Sequence, residues 1–399
     1  MASAIKRINE YNAGISAPLH ELKWNALMES PFRFFRGTAH LFAEDFVKLY
    51  KYDKPKITSW ICGDLHFENF GSYKGENRLV YFDLNDFDEA ILASPEPEIS
   101  RFLTSVIIAA NEMKVSAINL HKALHDIMEA YTGTLQKGKA LVMEAETAHG
   151  EFKKYFDHVA SLDRQDFIAK RTTKVKGVLQ LKQDYAHNVH NVHFLPLDDA
   201  QKAKVYEGIS GLLESNSRFE HLVFEDAAFR IAGTGSLGLD RYCVLCFSKK
   251  KGKHYLIDVK EARRSCFTGL IKTKQPRFKN EAERVNMAAF LLQFNPPAFV
   301  STVNFDSKWF MVKELQLVTD KMAIVDFGND FACFSHVARE MAVLMAYAHL
   351  RSSGHLGASP ADELMRFAGK TQWQKDIIEV SGELAKRNNK YYKDFVKVE

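Results

Sequence analysis

From about Phe224 to Val312 the chain changes texture, and this change limits its possible folds more than any other feature. Short β-type runs at Phe229–Ala232, Tyr242–Phe247, Tyr255–Val259, Val300–Phe305 and Trp309–Val312 are separated by Gly, Lys and Asp turns. One amphipathic helix, Glu281–Phe294, interrupts them. On either side the pattern is helical. Residues 1–55 carry an apolar stripe through Phe32, Phe35, Leu41, Phe42, Phe46 and Leu49, and Pro95 and Pro97 open a helix at Glu98–Met113. From Ser116 to Glu214 the chain reads as mostly helical, interrupted near Thr172–Leu197, and from Phe331 it is helical to its end. The expectation is an α+β, two-lobed molecule. Residues 1–225 would form a helical lobe with a hairpin segment at 57–89. Residues 226–321 would form a small antiparallel β lobe, and 322–399 the remainder of the helical lobe.

The length of 399 residues suffices for two cores, and 46% apolar with 12% aromatic residues describes a globular chain. A net charge of +4 is far from the basic stripe of a nucleic-acid binder. No apolar run reaches the length of a membrane span, and Met1–Tyr11 lacks the apolar core of a signal peptide. The five cysteines, scattered in apolar segments, read as reduced residues of a cytoplasmic protein. Cys243 and Cys246 form a C-x-x-C, but on a strand they point to opposite faces, which argues against zinc. Nothing in the pattern calls for an obligate protein partner.

Chemistry concentrates in Cys62-Gly63-Asp64-Leu65-His66-Phe67-Glu68-Asn69. An Asp with an Asn five residues on is how kinase-type phosphotransferases set a hydroxyl-orienting base beside a magnesium ligand. A hairpin follows, turning at Lys74–Asn77, and leads into Asp83-Leu84-Asn85-Asp86-Phe87-Asp88-Glu89. Loop, hairpin and exit carboxylate would place oxygen ligands around one phosphate-bound cation.

Gly233-Thr234-Gly235-Ser236-Leu237-Gly238 is a G-x-G-x-x-G followed by a strand, not by the helix that a dinucleotide fold requires. Glycines between antiparallel strands are the kinase arrangement, in which backbone covers phosphates. One strand further on, Leu256-Ile257-Asp258-Val259 ends in Lys260, and the next helix opens with Glu281 and Glu283. Lys260 steadied by Glu283 would neutralise the α- and β-phosphates. The order is reversed from ordinary kinases, because Asp64 precedes Gly233; a circular permutation is the simplest account.

Together, Gly63 to Gly71, Asn85 to Glu89, Gly233 to Gly238 and Val259 to Ala262 resemble a largely bacterial family, domain of unknown function 2252. The likeness runs from about Ser30 to about Gly354. That family looks like a permuted relative of the aminoglycoside and choline kinases. The resemblance implies phosphoryl transfer, with Asp64 as base and Asn69 as metal ligand. Asp86 and Asp83 compete for the second metal position, and Cys62 stands where those kinases usually have His.

The resulting expectation is an ATP- and Mg²⁺-dependent phosphotransferase acting on a hydroxyl of a small molecule. Gly233, Gly235, Ser236 and Gly238 would cover the phosphates. Backbone from Glu314 to Gln316 would meet the adenine edge. A nucleotide-binding regulatory module and an AMP transferase are the alternatives. Other patterns carry less. His187, His190 and His193 read as a polar loop and Asp326-Phe327-Gly328 as a coincidental kinase tripeptide, while Arg33 and Arg36 could contact an anionic substrate but read first as a solvated face with structural salt bridges. Asp64-x-His66 also suits a dinuclear phosphoesterase, but no G-N-H element accompanies it.

Overall fold

The computed structural model describes residues 3–51, 57–183, 194–219, 221–315 and 322–397. Helices α1 (Ala4–Tyr11), α2 (Ala17–Met28), α3 (Pro31–Gly37) and α4 (Ala39–Leu49) come first. Strands β1 (Ser59–Ile61), β2 (Phe70–Lys74), β3 (Val80–Leu84) and β4 (Ile91–Ala93) follow, then helices α5 (Glu96–Glu112), α6 (Ala117–Lys137), α7 (Gly150–Ser161) and α8 (Arg164–Arg171). A hairpin of β5 (Thr172–Val175) and β6 (Val178–Leu181), the short β7 (Phe194–Leu195) and helix α9 (Asp199–Ser215) lead to the main sheet. There lie β8 (Leu222–Arg230), β9 (Arg241–Ser248), β10 (Lys253–Glu261), helix α10 (Glu281–Leu292), β11 (Ser301–Phe305) and β12 (Lys308–Glu314). Helices α11 (Phe331–Ser352), α12 (Ala361–Ala368) and α13 (Gln372–Val396) complete the fold.

Local chemistry accounts for several boundaries. Ser30 accepts the Arg33 N–H at 3.1 Å while Pro31 starts α3. Asp198 and Gln201 cap α9 reciprocally, and Gly138, at φ 62°, closes α6 in the left-handed conformation.

The main sheet is antiparallel in the order β11-β12-β10-β9-β8-β7. Successive side chains alternate faces, and that alternation builds both a core and a cleft. Tyr255, Ile257 and Val259 on β10, Val244 and Cys246 on β9, and Phe310 and Val312 on β12 share an apolar core with Val205 and Ile209 of α9. Their strand neighbours Arg241, Asp258, Lys260, Met311 and Lys313 take the other face. Four of the five expected β runs fall on strands, while the first, expected at Phe229–Ala232, lies further back as β8, which starts at Leu222 and ends at Arg230. The sheet also recruits β7 and α9 from ahead of residue 226, because a two-residue edge strand is too short to show periodicity.

The larger core belongs to the helical part, where Phe46, Phe102, Leu135, Leu292 and Met341 pack with the hairpin residues Phe70 and Phe82. Strands β1 and β4 pair as Ser59↔Ala93, Trp60↔Leu92 and Ile61↔Ile91, which brings the two ends of the hairpin segment together. This pairing was not apparent in the sequence. Cys243 and Cys246 fall in different apolar clusters on opposite faces of β9. Among the described residues, no helix is long and apolar enough to cross a membrane. His187, His190 and His193 lie outside the described residues.

Candidate active site

The floor of the cleft begins where β1 ends. Gly63 has φ +81°, and a Cβ there would fall 2.2 Å from the Glu89 carbonyl oxygen, so the β1–β4 approach requires glycine. Asp64 follows. Its Oδ1 accepts the Arg101 Nε–H at 2.8 Å and lies 2.6 Å from Nη2 of the same guanidinium. Arg101, on α5, is fully buried with its guanidinium 3.6 Å from the Phe35 ring centroid, and it also donates to the Phe35 carbonyl. Burial pushes the Asp64 carboxyl above its ordinary value, although Arg101 pulls it down.

Asn69 closes a 3₁₀ turn and donates from Nδ2 to the Asp64 carbonyl at 3.0 Å, while its own carbonyl accepts the Asn85 N–H at 3.1 Å. Beneath the loop, Glu98 accepts the Cys62 N–H at 2.7 Å and meets His349 Nε2 at 2.6 Å. His349 in turn meets the Tyr131 hydroxyl at 2.8 Å. So the buried histidine behind this loop comes from α11, not from position 62.

The acidic cluster divides by face. Asp83 is buried against Arg351, 2.6 Å away, accepts the Leu84 N–H, and lines neither of the cavities described below. Its expected role as a metal ligand is therefore corrected: α11 supplies an arginine that closes it off. Asp86 and Asp88 turn to the cleft, where Lys260 lies 3.5 Å from Asp86 and in contact with Asp88. Partial desolvation disfavours charge on both, although the Asp86 side chain is 48% exposed. Lys260 and Lys313 nevertheless hold Asp86 below its ordinary value, while the Asp86 charge helps push Asp88 above its own.

Glu283 is not the partner of Lys260. It sits in the first turn of α10 and accepts the Lys279 N–H at 2.6 Å, because Asn280 caps that helix and turns Glu283 back over its N-terminus. The Glu314 side chain is taken by Arg78 and Arg164. The Glu314 N–H donates to the Ala298 carbonyl and the Leu315 N–H to the Leu256 carbonyl, so neither amide is open to a base edge. Gln316 lies outside the described residues.

The glycine turn is held by its carbonyls. Lys23, buried on α2, donates to Gly235 O at 3.1 Å and Leu237 O at 3.2 Å, and burial lowers its amine to about 8. Arg33 donates to Thr234 Oγ1 at 3.0 Å, and Ser236 Oγ to the Ala232 carbonyl. Gly238, at φ +99°, leaves room only for the Ile15 side chain, 2.3 Å from where a Cβ would stand. Arg33 and Arg36 make the expected structural salt bridges, to Glu29 and Glu68, but they line the cleft instead of forming a solvated face. Helix α3 packs on the floor and turns them inward, with Arg36 2.6 Å from Glu68.

Two adjoining cavities result, of about 280 and 100 Å³. Both are lined by Arg36, Asn69, Asp86 and Gly233. Lys260 faces the larger one, while Asp64, Glu89 and Gly235 to Leu237 face the smaller. Sequence reasoning missed Arg101, Glu98, Glu89, Lys23, Arg241 and Lys313. Glu89 was visible only as the end of the acidic cluster, and for the others the one available signal was that a charge within an apolar or β-type stretch must be paired. Asp326 caps its own 3₁₀ turn through the Ala323 N–H and lines neither cavity. Among the described residues, no group of three or more His, Cys, Asp or Glu side chains is arranged to hold a metal.

Residues 17–398 match the family described as an uncharacterised protein conserved in bacteria (DUF2252), and the chain belongs to that family. No curated protein and no solved structure matches it.

Proposed function

We propose that the chain is a Mg²⁺- and nucleoside-triphosphate-dependent phosphotransferase of circularly permuted, kinase-like fold, acting on a hydroxyl of a small molecule. One observation carries the reading. The adjoining cavities gather Asp64, Asn69 and Asp86 from one segment, and Gly233 to Leu237 and Lys260 from a part of the chain far from it in sequence, around one cleft between sheet and helices. Under this reading Asp64 orients the acceptor hydroxyl and takes its proton at Oδ2, the oxygen that Arg101 leaves open. The acceptor oxygen bonds to the terminal phosphorus as the bridging P–O bond breaks, and the leaving diphosphate chain takes the electron pair. Lys260, set between Asp86 and Asp88, offsets the phosphate charge.

The donors suit magnesium. The Asn69 amide gives its N–H to the Asp64 carbonyl, which leaves its oxygen free to join the Asp86 carboxylate. A small hard cation needs few protein oxygens when phosphates supply the rest. Bound there, it would neutralise charge on the transferring phosphate.

The hold of Arg101 on Asp64 favours a second reading, a nucleotide-binding module without transfer, since a guanidinium weakens a carboxylate as a base. Incubation with γ- or α-labelled ATP and metabolite pools separates the readings. The expected result is transfer of the γ label by the wild type. With Asp64→Asn, turnover should fall by about 10³-fold or more while ATP affinity stays within about tenfold. Bound ATP with no turnover in either protein would leave the module, and movement of the α label would mean AMP transfer.

A further inference from the structure

The sheet face above the larger cavity is charged. Along β10, Asp258 sits two residues before Lys260 and on the same side of the strand. If the cleft holds a nucleotide as proposed above, that is where a base would lie. Asp258 is buried there with Arg230 2.8 Å away and Arg241 2.6 Å away, and these two arginines hold its carboxyl well below the usual carboxylate range. Lys313 pairs across the strands with Asp258 in register. Of the residues that β8, β9, β10 and β12 present to this cavity, only Met311 is apolar. The strands themselves thus offer an aromatic base little apolar surface, and further apolar lining, Ala232, Ala289, Pro297, Val300 and Leu315, comes from the segments beside them.

The charges do not cancel. Asp258 takes both Arg230 and Arg241, Lys260 takes both Asp86 and Asp88, and Arg36 takes Glu68, so that four cations face four acids. Glu314 is matched by Arg78 and Arg164, which stand outside the cavity lining. Lys313 has no hydrogen-bond or ion-pair partner among the described residues; burial lowers its amine, and the more distant charges of Asp258 and Asp86 that favour it are opposed by Arg241 and Lys260. A lysine in that position is a standing anion site, and Arg33 and Arg36 face it from the floor.

We propose that this cavity recognises the polyphosphate chain of the phosphoryl donor rather than its base, with Lys313 as a phosphate contact additional to Lys260. The donor class is then nucleoside triphosphates irrespective of base, together with inorganic tripolyphosphate. In each case the terminal P–O–P bond breaks, the electron pair stays on the leaving chain, and the acceptor proton passes to Asp64. This inference rests on the phosphotransferase reading.

The test is calorimetric titration of the full chain, with magnesium, against ATP, GTP, CTP, tripolyphosphate and adenosine. Expected affinities for the three nucleotides agree within about threefold, tripolyphosphate binds within about tenfold of them, and adenosine does not bind. Lys313→Met should weaken every chain-bearing ligand by a similar factor of about tenfold and flatten the salt dependence. ATP binding more than about tenfold tighter than GTP and CTP, with tripolyphosphate silent, overturns the inference and leaves the phosphotransferase reading standing. Unchanged affinities in Lys313→Met remove Lys313 from the site. Should that variant fail to fold, the wild-type series decides alone. If none of the polyphosphates binds, both readings fall together.

Discussion

At the floor of the cleft Asp64 is held by Arg101 of α5, and behind it the buried Asp83 is held by Arg351 of α11, in each case one arginine from a distant helix. On the sheet above, charge is shared: Asp258 lies between two arginines, Lys260 between two aspartates, and Lys313 is left over. The floor is thus a set of one-to-one pairs that fix a backbone loop, and the sheet is a lattice with a cation to spare. The first arrangement suits groups that must keep their geometry. The second suits a surface that waits for an anion. A buried pair also costs desolvation, so the floor gains position more than stability from its ion pairs.

That contrast breaks most visibly at Arg101. Replacing it with Met removes the guanidinium that lies over Phe35 and Phe42 and leaves the largely enclosed Asp64 carboxylate without its counter-charge, and removing one partner of a buried pair costs about 3–5 kcal/mol. Urea unfolding of Arg101→Met should show a loss of that size. A loss under about 1 kcal/mol would mean that the floor is not held by its ion pairs.

Glu89 sharpens the comparison because it is the floor acid held by a backbone amide, the Cys266 N–H, instead of by an arginine. Burial, with the charges of Asp64 and Asp88, pushes its carboxyl up to about 7 against the pull of that N–H. A folded-state value above the unfolded one means the stabilising contribution is complete below pH about 4.5 and lost as pH rises through about 7. Glu89→Gln keeps an acceptor for the amide and removes the titration. Its stability gain over wild type should be near zero at low pH and grow to at most about 3 kcal/mol above pH 7. A gain that does not depend on pH would show that Glu89 is not the group responsible.

Much of this molecule is legible in its sequence, and the boundary of legibility is physical. Four of the five β runs, the α10 helix and the 57–89 hairpin announce themselves through period and turn chemistry, which are local. Asp64, Asn69, Asp86 and Lys260 announce themselves through spacing, and they meet at one cleft. The partner of a charge is not local. Arg101 lies in a helix whose buried face reads as Phe102, Val106 and Ile107, and nothing in that run says that its neighbour turns back to Asp64. Asp83 and Asp86, three residues apart, were inseparable until β3 was seen to turn one toward α11 and the segment after it to turn the other toward the sheet. Glu283 failed for the same reason. A glutamate at the start of a helix serves its own N–H groups as readily as a lysine across the cleft.

Glu283 therefore gives the smallest effect and a clean test of that assignment. If it only caps α10, Glu283→Gln keeps an oxygen for the Lys279 N–H and loses only its charge near the helix N-terminus, worth about 0.3–1 kcal/mol. Polyphosphate affinity and any turnover should match wild type, because Lys260 keeps Asp86 and Asp88. Asp88→Asn provides the contrast. It removes the carboxylate in contact with Lys260, so Lys260 loses one of its two anchors and donor affinity changes while α10 is untouched. Equal loss of affinity in Glu283→Gln and Asp88→Asn would instead mean that the sheet closes on α10 when the donor binds, bringing Glu283 to Lys260 after all.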